Sequence, residues 1–329
     1  MEFQLIPPVP TGTALLDAAF SGVREKMEGR SSQKNIWARD VSRLHTLADT
    51  LCGRLGKIPR TFPSTDQLHP FYEELFTLTL DVGEFKRALA ACTWAADRIR
   101  KLAFEYISKM KIQRKSVDLH PLRKQFYGRA SSVLKQIDPQ LKFLEQCRRI
   151  LRTYPTVRLD IPTVAIAGCP NVGKTSLLKA LTGADPEIAP YPFTTKRLML
   201  GYAEINKRQV QFVDTPGLLD RNEHNDIETH TVIALRHLAT VIVFVFDPTE
   251  TCGYPMARQR ALLALVKKEF KLPIVILSNK ADSGTKGPGI SVSAESGKGL
   301  SEVQKEIQLA IGEEFEFPES EPLNEEPPQ

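Results

Sequence analysis

The chain has 329 residues, more than one small core usually holds, so its length favours about two domains. Its composition, 42% hydrophobic and 25% charged, supplies enough apolar surface for folded cores and excludes global disorder. The net charge of +5 hides two opposite halves: residues 1–160 carry 27 Lys+Arg against 17 Asp+Glu, and residues 161–329 carry 17 against 22.

The first 155 residues read as helices. Apolar positions at helical spacing predict segments over 31–55, 68–80 and 84–110, the last a 27-residue run with Phe85, Trp94, Phe104 and Tyr106 taken as core aromatics. A final helix is expected to open at Asp138-Pro139, with Asp138 as N-cap and Pro139 in the first turn, and to continue to Leu151. Between residues 101 and 150 there are 12 Lys+Arg and 4 Asp+Glu. Lys109, Lys111, Arg114, Lys115, Arg123, Lys124 and Arg129 gather at and after the end of the long helix, a composition that suits a polyanion and equally a solvated helical face.

After Tyr154-Pro155 the pattern changes. Short apolar runs at 163–167, 198–205, 209–213, 241–246, 274–277 and 290–292 alternate with helical segments, which predicts a mostly parallel sheet with helices on both faces. The expected division is a basic helical domain over 1–157, an α/β domain over 158–312, and an acidic, Pro-rich disordered tail over 313–329. No run reaches the roughly 20 apolar residues of a membrane helix, and the N-terminus lacks a secretory pattern. Five cysteines without CxxC spacing read as reduced thiols with no disulfide partner. The expectation is a soluble, cytoplasmic protein with no membrane partner.

Chemistry concentrates at the strand ends. Gly168-Cys169-Pro170-Asn171-Val172-Gly173-Lys174-Thr175 fits GxxxxGK[ST] between a predicted strand and a helix that includes Ser176. Such a loop wraps a polyphosphate with backbone N–H groups; Lys174 adds a point charge, and Thr175 offers a hydroxyl to Mg²⁺. Asp214-Thr215-Pro216-Gly217 follows the next strand, placing Asp214 to hold Mg²⁺ through water and Gly217 to meet a terminal phosphate. Asn279-Lys280-Ala281-Asp282 follows a third strand, with Asp282 suited to the paired N1 and N2 donors of guanine. Ser293-Ala294 follows the last, with the Ala294 N–H directed at the base carbonyl.

GCPNVGKT, DTPG, NKAD and SA are similar to the signatures of translation-factor-like P-loop GTPases. YPFTT at 191–195 narrows the resemblance to the Obg-like group, and DPTETCGYPMARQ at 247–259, with DTPGLLDR and a helical domain ahead of the P-loop, resembles the nucleolar GTP-binding (NOG) family in a compact form. The resemblance implies an α/β GTPase domain preceded by an all-α helical bundle, GTP/GDP and Mg²⁺ as ligands, and assembly of the large ribosomal subunit through its RNA. Lacking the long extension of eukaryotic members, the compact form implies an archaeal origin and a cytoplasmic setting.

Matching YPFTT to the family also places Phe193, Thr194 and Thr195 at the nucleotide, with Thr195 closing over Mg²⁺ and the γ-phosphate, or Thr194 if the register differs. Lys174, Thr195 and Gly217 then form the expected catalytic set. Asn171 occupies the position that ligates K⁺ in several GTPases with a GxPNxGK loop, or else only braces the loop. Position 218 is Leu, where a Ras-like enzyme has a water-orienting Gln. This implies slow hydrolysis awaiting a partner, or a scaffold that binds GTP and seldom cleaves it.

Overall fold

The computed structural model describes residues 3–28, 36–112, 119–189, 198–214 and 236–312. It divides into two compact units, Met1–Thr153 and Tyr154–Gln329.

In the first unit, α1 (Gly12–Glu28), α2 (Ile36–Thr61), α3 (Pro70–Thr79), α4 (Val82–Ile112) and α5 (His120–Leu151) form an all-α bundle. Helix α2 packs on α4, α4 on α5, and α1 on both α2 and α5, closing a ring of four long helices. Helix α1 is not among the expected segments, although Leu15, Ala19 and Val23 are buried at four-residue spacing. Trp37 on α2 donates its indole N–H to Met110 O at 2.9 Å, fastening the far end of α4.

Two expectations fail here. Pro139 does not start a helix but lies inside α5, which runs 32 residues. The stripe Phe126, Ala130, Val133, Ile137, Leu141 and Leu144 is buried on both sides of Pro139. That continuous packing outweighs the one backbone hydrogen bond a proline removes. Asp138 does cap a helix, though not its own: its Oδ1 accepts the Gly12 N–H at 2.9 Å, satisfying the start of α1. The second failure concerns the aromatics. Phe85 and Tyr106 are buried, but Trp94 is 45% and Phe104 76% exposed, because both fall off the α4 stripe that contains Cys92, Ala95, Ile99, Leu102 and Ala103.

The second unit is an α/β sheet of seven strands in the order β2-β3-β4-β1-β5-β6-β7. The strands are β1 (Thr163–Ala167), β2 (Glu187–Ala189), β3 (Leu198–Ile205), β4 (Arg208–Asp214), β5 (Val241–Phe246), β6 (Ile274–Ser278) and β7 (Ile290–Ser291). From β4 through β1, β5, β6 and β7 every pairing is parallel, and β2-β3-β4 is antiparallel. The β3-β4 hairpin turns at Asn206 and Lys207, both at positive φ, the conformation a two-residue hairpin needs. β2 escapes a reading by hydrophobic run because it has three residues. β1 and β5 are buried at every position, and each large apolar side chain placed there contributes about 1.5–3 kcal/mol of burial. Helices α6 (Lys174–Thr182), α7 (Met256–Glu269) and α8 (Leu300–Ile311) flank the sheet in sequence among the described residues. The C-terminal ends of β1, β4, β5 and β6 share one edge, where a parallel α/β sheet binds ligands.

Candidate functional site

β1 leads into Gly168, where the chain turns sharply. A Cβ on Gly168 would stand 2.6 Å from Val245 O, and one on Gly173 2.3 Å from Asn279 Nδ2. Both glycines therefore let backbone pass where no side chain fits. Asn171 sits at φ +61° and Gly173 at φ +94°, and the loop feeds directly into the N-terminus of α6. Lys174 is buried, its ammonium donating to Gly168 O at 3.2 Å and Cys169 O at 2.9 Å. The cation is held inside its own loop, at the positive end of a helix, where an anionic phosphate chain is favoured. Val172 is buried, Pro170 half-buried, and Asn171 and Ser176 exposed.

The metal corner lies beside it. Asp214 closes β4 in register with Ile166 of β1, and its Oδ2 accepts the Thr175 hydroxyl at 2.5 Å. Its Oδ1 is buried without a hydrogen-bond partner among the described residues. Burial pushes the Asp214 carboxyl up, and the Thr175 hydroxyl and the Lys174 charge pull it back. A buried carboxylate oxygen left over beside a hydroxyl is costly and suits a hard divalent cation. Thr175 and Asp214 thus fit Mg²⁺, which would supply positive charge at the phosphate oxygens.

The base corner is organised by Asn279, which is 3% exposed. Its Nδ2 donates to Val172 O at 3.1 Å, bracing the P-loop, and its Oδ1 accepts the Ala294 N–H at 3.1 Å, holding the last motif. One amide thereby ties together three segments more than 100 residues apart at the extremes. The Ala294 N–H that the sequence directs at a base carbonyl is taken by Asn279. Ser293 is buried and its hydroxyl accepts the Ser296 N–H, shaping the same loop. Lys280 adopts φ +62° and opens a one-turn 3₁₀ helix, Ala281–Ser283, that presents Asp282 exposed.

One cluster was missed by sequence reading. Asp247, immediately after β5, is fully buried and accepts the Lys280 ammonium at 2.6 Å. Burial pushes its carboxyl up, but Lys280, the Thr249 hydroxyl and the Cys252 and Thr249 amides outweigh it and hold the group down to about 2. Its position in the 247–259 segment was the available signal. Phe193, Thr194, Thr195, Gly217 and Leu218 lie outside the described residues.

In the helical unit, the five of the seven basic residues that fall among the described residues have different surroundings. Arg123 pairs with buried Asp40 of α2, so it ties α5 to α2. Lys109 pairs with Glu105 at 2.6 Å, and Lys109 and Arg129 both stand over the Tyr106 ring. Lys124 is exposed. Lys111 faces a different place, a groove between α2 and α4 that also holds Lys57, Arg60, Arg100 and the exposed Phe104. Arg114 and Lys115 lie outside the described residues. The five cysteines are free thiols, four of them buried.

Residues 3–158 match the family described as NOG1 N-terminal helical domain, and residues 163–280 the family described as 50S ribosome-binding GTPase. The chain belongs to the nucleolar GTP-binding protein 1 family. Among its relatives, an uncharacterised protein of Methanocaldococcus jannaschii is 42% identical over 78% of this chain and 75% of its own length. A nucleolar GTP-binding protein 1 of Arabidopsis thaliana is 35% identical over 94% of this chain and 47% of its own length. One from Encephalitozoon cuniculi is 30% identical over 85% and 54%. The chain thus spans about half the length of the named nucleolar relatives it matches. As a family member it carries a P-loop GTPase domain after a helical N-terminal domain. Among the described residues, no helix is long and apolar enough to cross a membrane.

Proposed function

We propose that this nucleolar GTP-binding protein 1 relative hydrolyses GTP as a switch in assembly of the large ribosomal subunit, with its helical unit binding ribosomal RNA. The observation that carries the first part is the pairing of Thr175, in the phosphate loop, with Asp214, whose other carboxylate oxygen is buried with no hydrogen-bond partner among the described residues. Such an arrangement suits a hard cation beside a polyphosphate. In this reading the P-loop amides and Lys174 hold the β- and γ-phosphates, Thr195 closes on the γ-phosphate, and the Gly217 N–H marks its arrival. Asp282 selects guanine. Asn171 is the proposed K⁺ ligand, and the protein works in the cytoplasm. The expected domains are the helical unit over 1–157 and the GTPase unit over 158–312, with the acidic tail 313–329 beyond.

Leu218 gives specific support to a second reading, a GTP-dependent ribosome-binding scaffold that seldom hydrolyses, because an aliphatic side chain cannot orient water. Single-turnover GTP hydrolysis with Mg²⁺, with and without large ribosomal subunits, decides between them. Acceleration by subunits is expected for the switch. An undetectable rate in both conditions, with GTP tightly bound, establishes the scaffold.

RNA binding is supported by exposed cations on a helical unit with an excess of basic residues. The groove with Lys57, Arg60, Arg100, Lys111 and Phe104 offers charge for a phosphate backbone and an aromatic face for a base.

A further inference from the structure

The family-marking segment 247–259 has no part in the chemistry described so far, yet its first residue is among the most heavily hydrogen-bonded side chains in the unit. Asp247 Oδ1 accepts the Thr249 N–H at 3.0 Å and the Thr249 hydroxyl at 2.5 Å. Its Oδ2 accepts the Cys252 N–H at 2.8 Å, the Thr251 hydroxyl at 3.1 Å and the Lys280 ammonium at 2.6 Å. Lys280 also donates to the Thr251 hydroxyl at 2.6 Å. From the other side, Gln259 of α7, itself fully buried, fixes the Asp247 backbone: its Oε1 accepts the Asp247 N–H at 2.8 Å and its Nε2 donates to Asp247 O at 2.9 Å. The Asp247 backbone is therefore tied to α7, and its carboxylate to the 249–252 turn and to Lys280.

What this anchor holds is the neighbour of the base reader. Lys280 lies between Asn279, which braces the P-loop, and the short turn that carries Asp282. Its backbone is left-handed, a conformation that non-glycine residues adopt only when their surroundings impose it. A flexible lysine stem left in water loses considerable rotamer freedom when it is fixed. Charge-assisted bonds to a buried, ionised carboxylate are strong enough to offset that loss. The backbone adds a second tie, since the Asn279 N–H donates to Phe246 O at 2.8 Å and the Ala281 N–H to Val292 O at 2.9 Å. The side chain of Asp247 and the strand ends together lock residues 279–282 in one shape.

We propose that Asp247 is a positioning residue of the guanine site, acting through Lys280 to pre-form the 279–282 turn before nucleotide arrives. The proposal rests on the reading that this site takes a guanine nucleotide. Its alternative is that Asp247 only supports the 247–259 loop.

A double-mutant cycle on the full chain separates these, using fluorescent GDP titrations with thermal unfolding measured in parallel. Asp247→Asn should weaken GDP binding by about tenfold or more, the usual scale for losing a charge-assisted hydrogen bond. Lys280→Met should weaken it to a similar degree. In the Lys280→Met background, Asp247→Asn should cost less than about twofold, because the two act as one unit. Thr251→Val, at an exposed position, provides the same comparison with little risk to folding. It should lower affinity a few-fold alone and have no further effect beside Lys280→Met. An equal loss in both backgrounds, or no loss in either, overturns the proposal and leaves Asp247 a loop support. A wild-type chain that binds no guanine nucleotide removes the site reading itself, and this proposal with it.

Discussion

The two units use charge in opposite ways. In the GTPase unit the polar groups that matter are buried and bonded to one another: Lys174, Asp214, Asp247 and Asn279 are each no more than 7% exposed. In the helical unit, the groove cations and Lys124 face water, whereas Arg123 and Arg148 are drawn inward to carboxylates. Buried polar sites work by fixed geometry, so each member is a single point of failure. Exposed cations act through a summed field, so their effects are shared and graded.

The sharpest way to break this comparison is at the P-loop. Lys174→Ala and Thr175→Ala should each abolish tight Mg²⁺·GTP binding or turnover while the far-ultraviolet circular dichroism stays that of the wild type. A variant that turns over GTP at the normal rate would take the loop out of the chemistry. Next in size is Asp282→Asn, which should reverse base preference toward xanthine nucleotides, since an amide donor then meets the C2 carbonyl. Competition binding with GTP, XTP and ATP reads this directly, and a wild-type chain that binds ATP as well as GTP would contradict the role of Asp282.

The helical unit should respond by degrees. Replacing Lys57, Arg60, Arg100 and Lys111 with Ala should weaken binding to large-subunit RNA and reduce the slope of log K against log salt by up to about 3, at about 0.7–0.9 per lost phosphate contact. GTP affinity should not change. Arg123→Ala sharpens the contrast from within the same unit: it should lower the melting temperature and spare the salt slope, because it leaves buried Asp40 without one of its partners. An unchanged slope for the quadruple variant would mark the groove as merely solvated.

Glu145 gives a smaller effect with a definite sign. The Arg148 guanidinium is the main cause that holds its carboxyl down to about 2; burial opposes this, and the Val9 N–H and Arg149 assist. A carboxyl depressed in the folded state stabilises above its unfolded value of 4.5 and loses that contribution as pH falls toward 2. Glu145→Gln should cost about 2 kcal/mol at pH 7 and little at pH 2, by urea unfolding at each pH. Equal losses at both would assign the effect to packing. Last, turnover should be a few-fold faster in KCl than in NaCl at matched ionic strength if Asn171 ligates K⁺. Asn171 is exposed, and the alternative is that it only braces the loop. Identical rates would dismiss the cation.

Legibility followed the same division. The strands β1 and β5 were readable as apolar runs because they are buried at every position, β3, β4 and β6 because enough of their positions are buried to keep the run apolar, and the P-loop because glycine is required at 168 and 173 by contacts of less than 3 Å. Asp247 was not readable. A lone aspartate after a strand resembles any turn residue until Lys280, 33 positions later, is placed against it. The start of α5 was misread since a local cap signal at Asp138-Pro139 competed with an apolar stripe whose partner helices could not be seen.

By itself, then, the sequence determined what local chemistry dictates: an all-α basic unit, an α/β unit, and a guanine-nucleotide signature in chain order. Only tertiary structure decided which polar groups serve each other. It turned Asp138 into a cap for α1, took Arg123 out of the basic surface, moved Trp94 and Phe104 to solvent, and set Asn279 and Asp247 as the ties of the nucleotide edge. The physical reason is range. Periodicity and turn chemistry act over a few residues, whereas a buried hydrogen bond or ion pair is worth its desolvation only where the fold brings distant partners together.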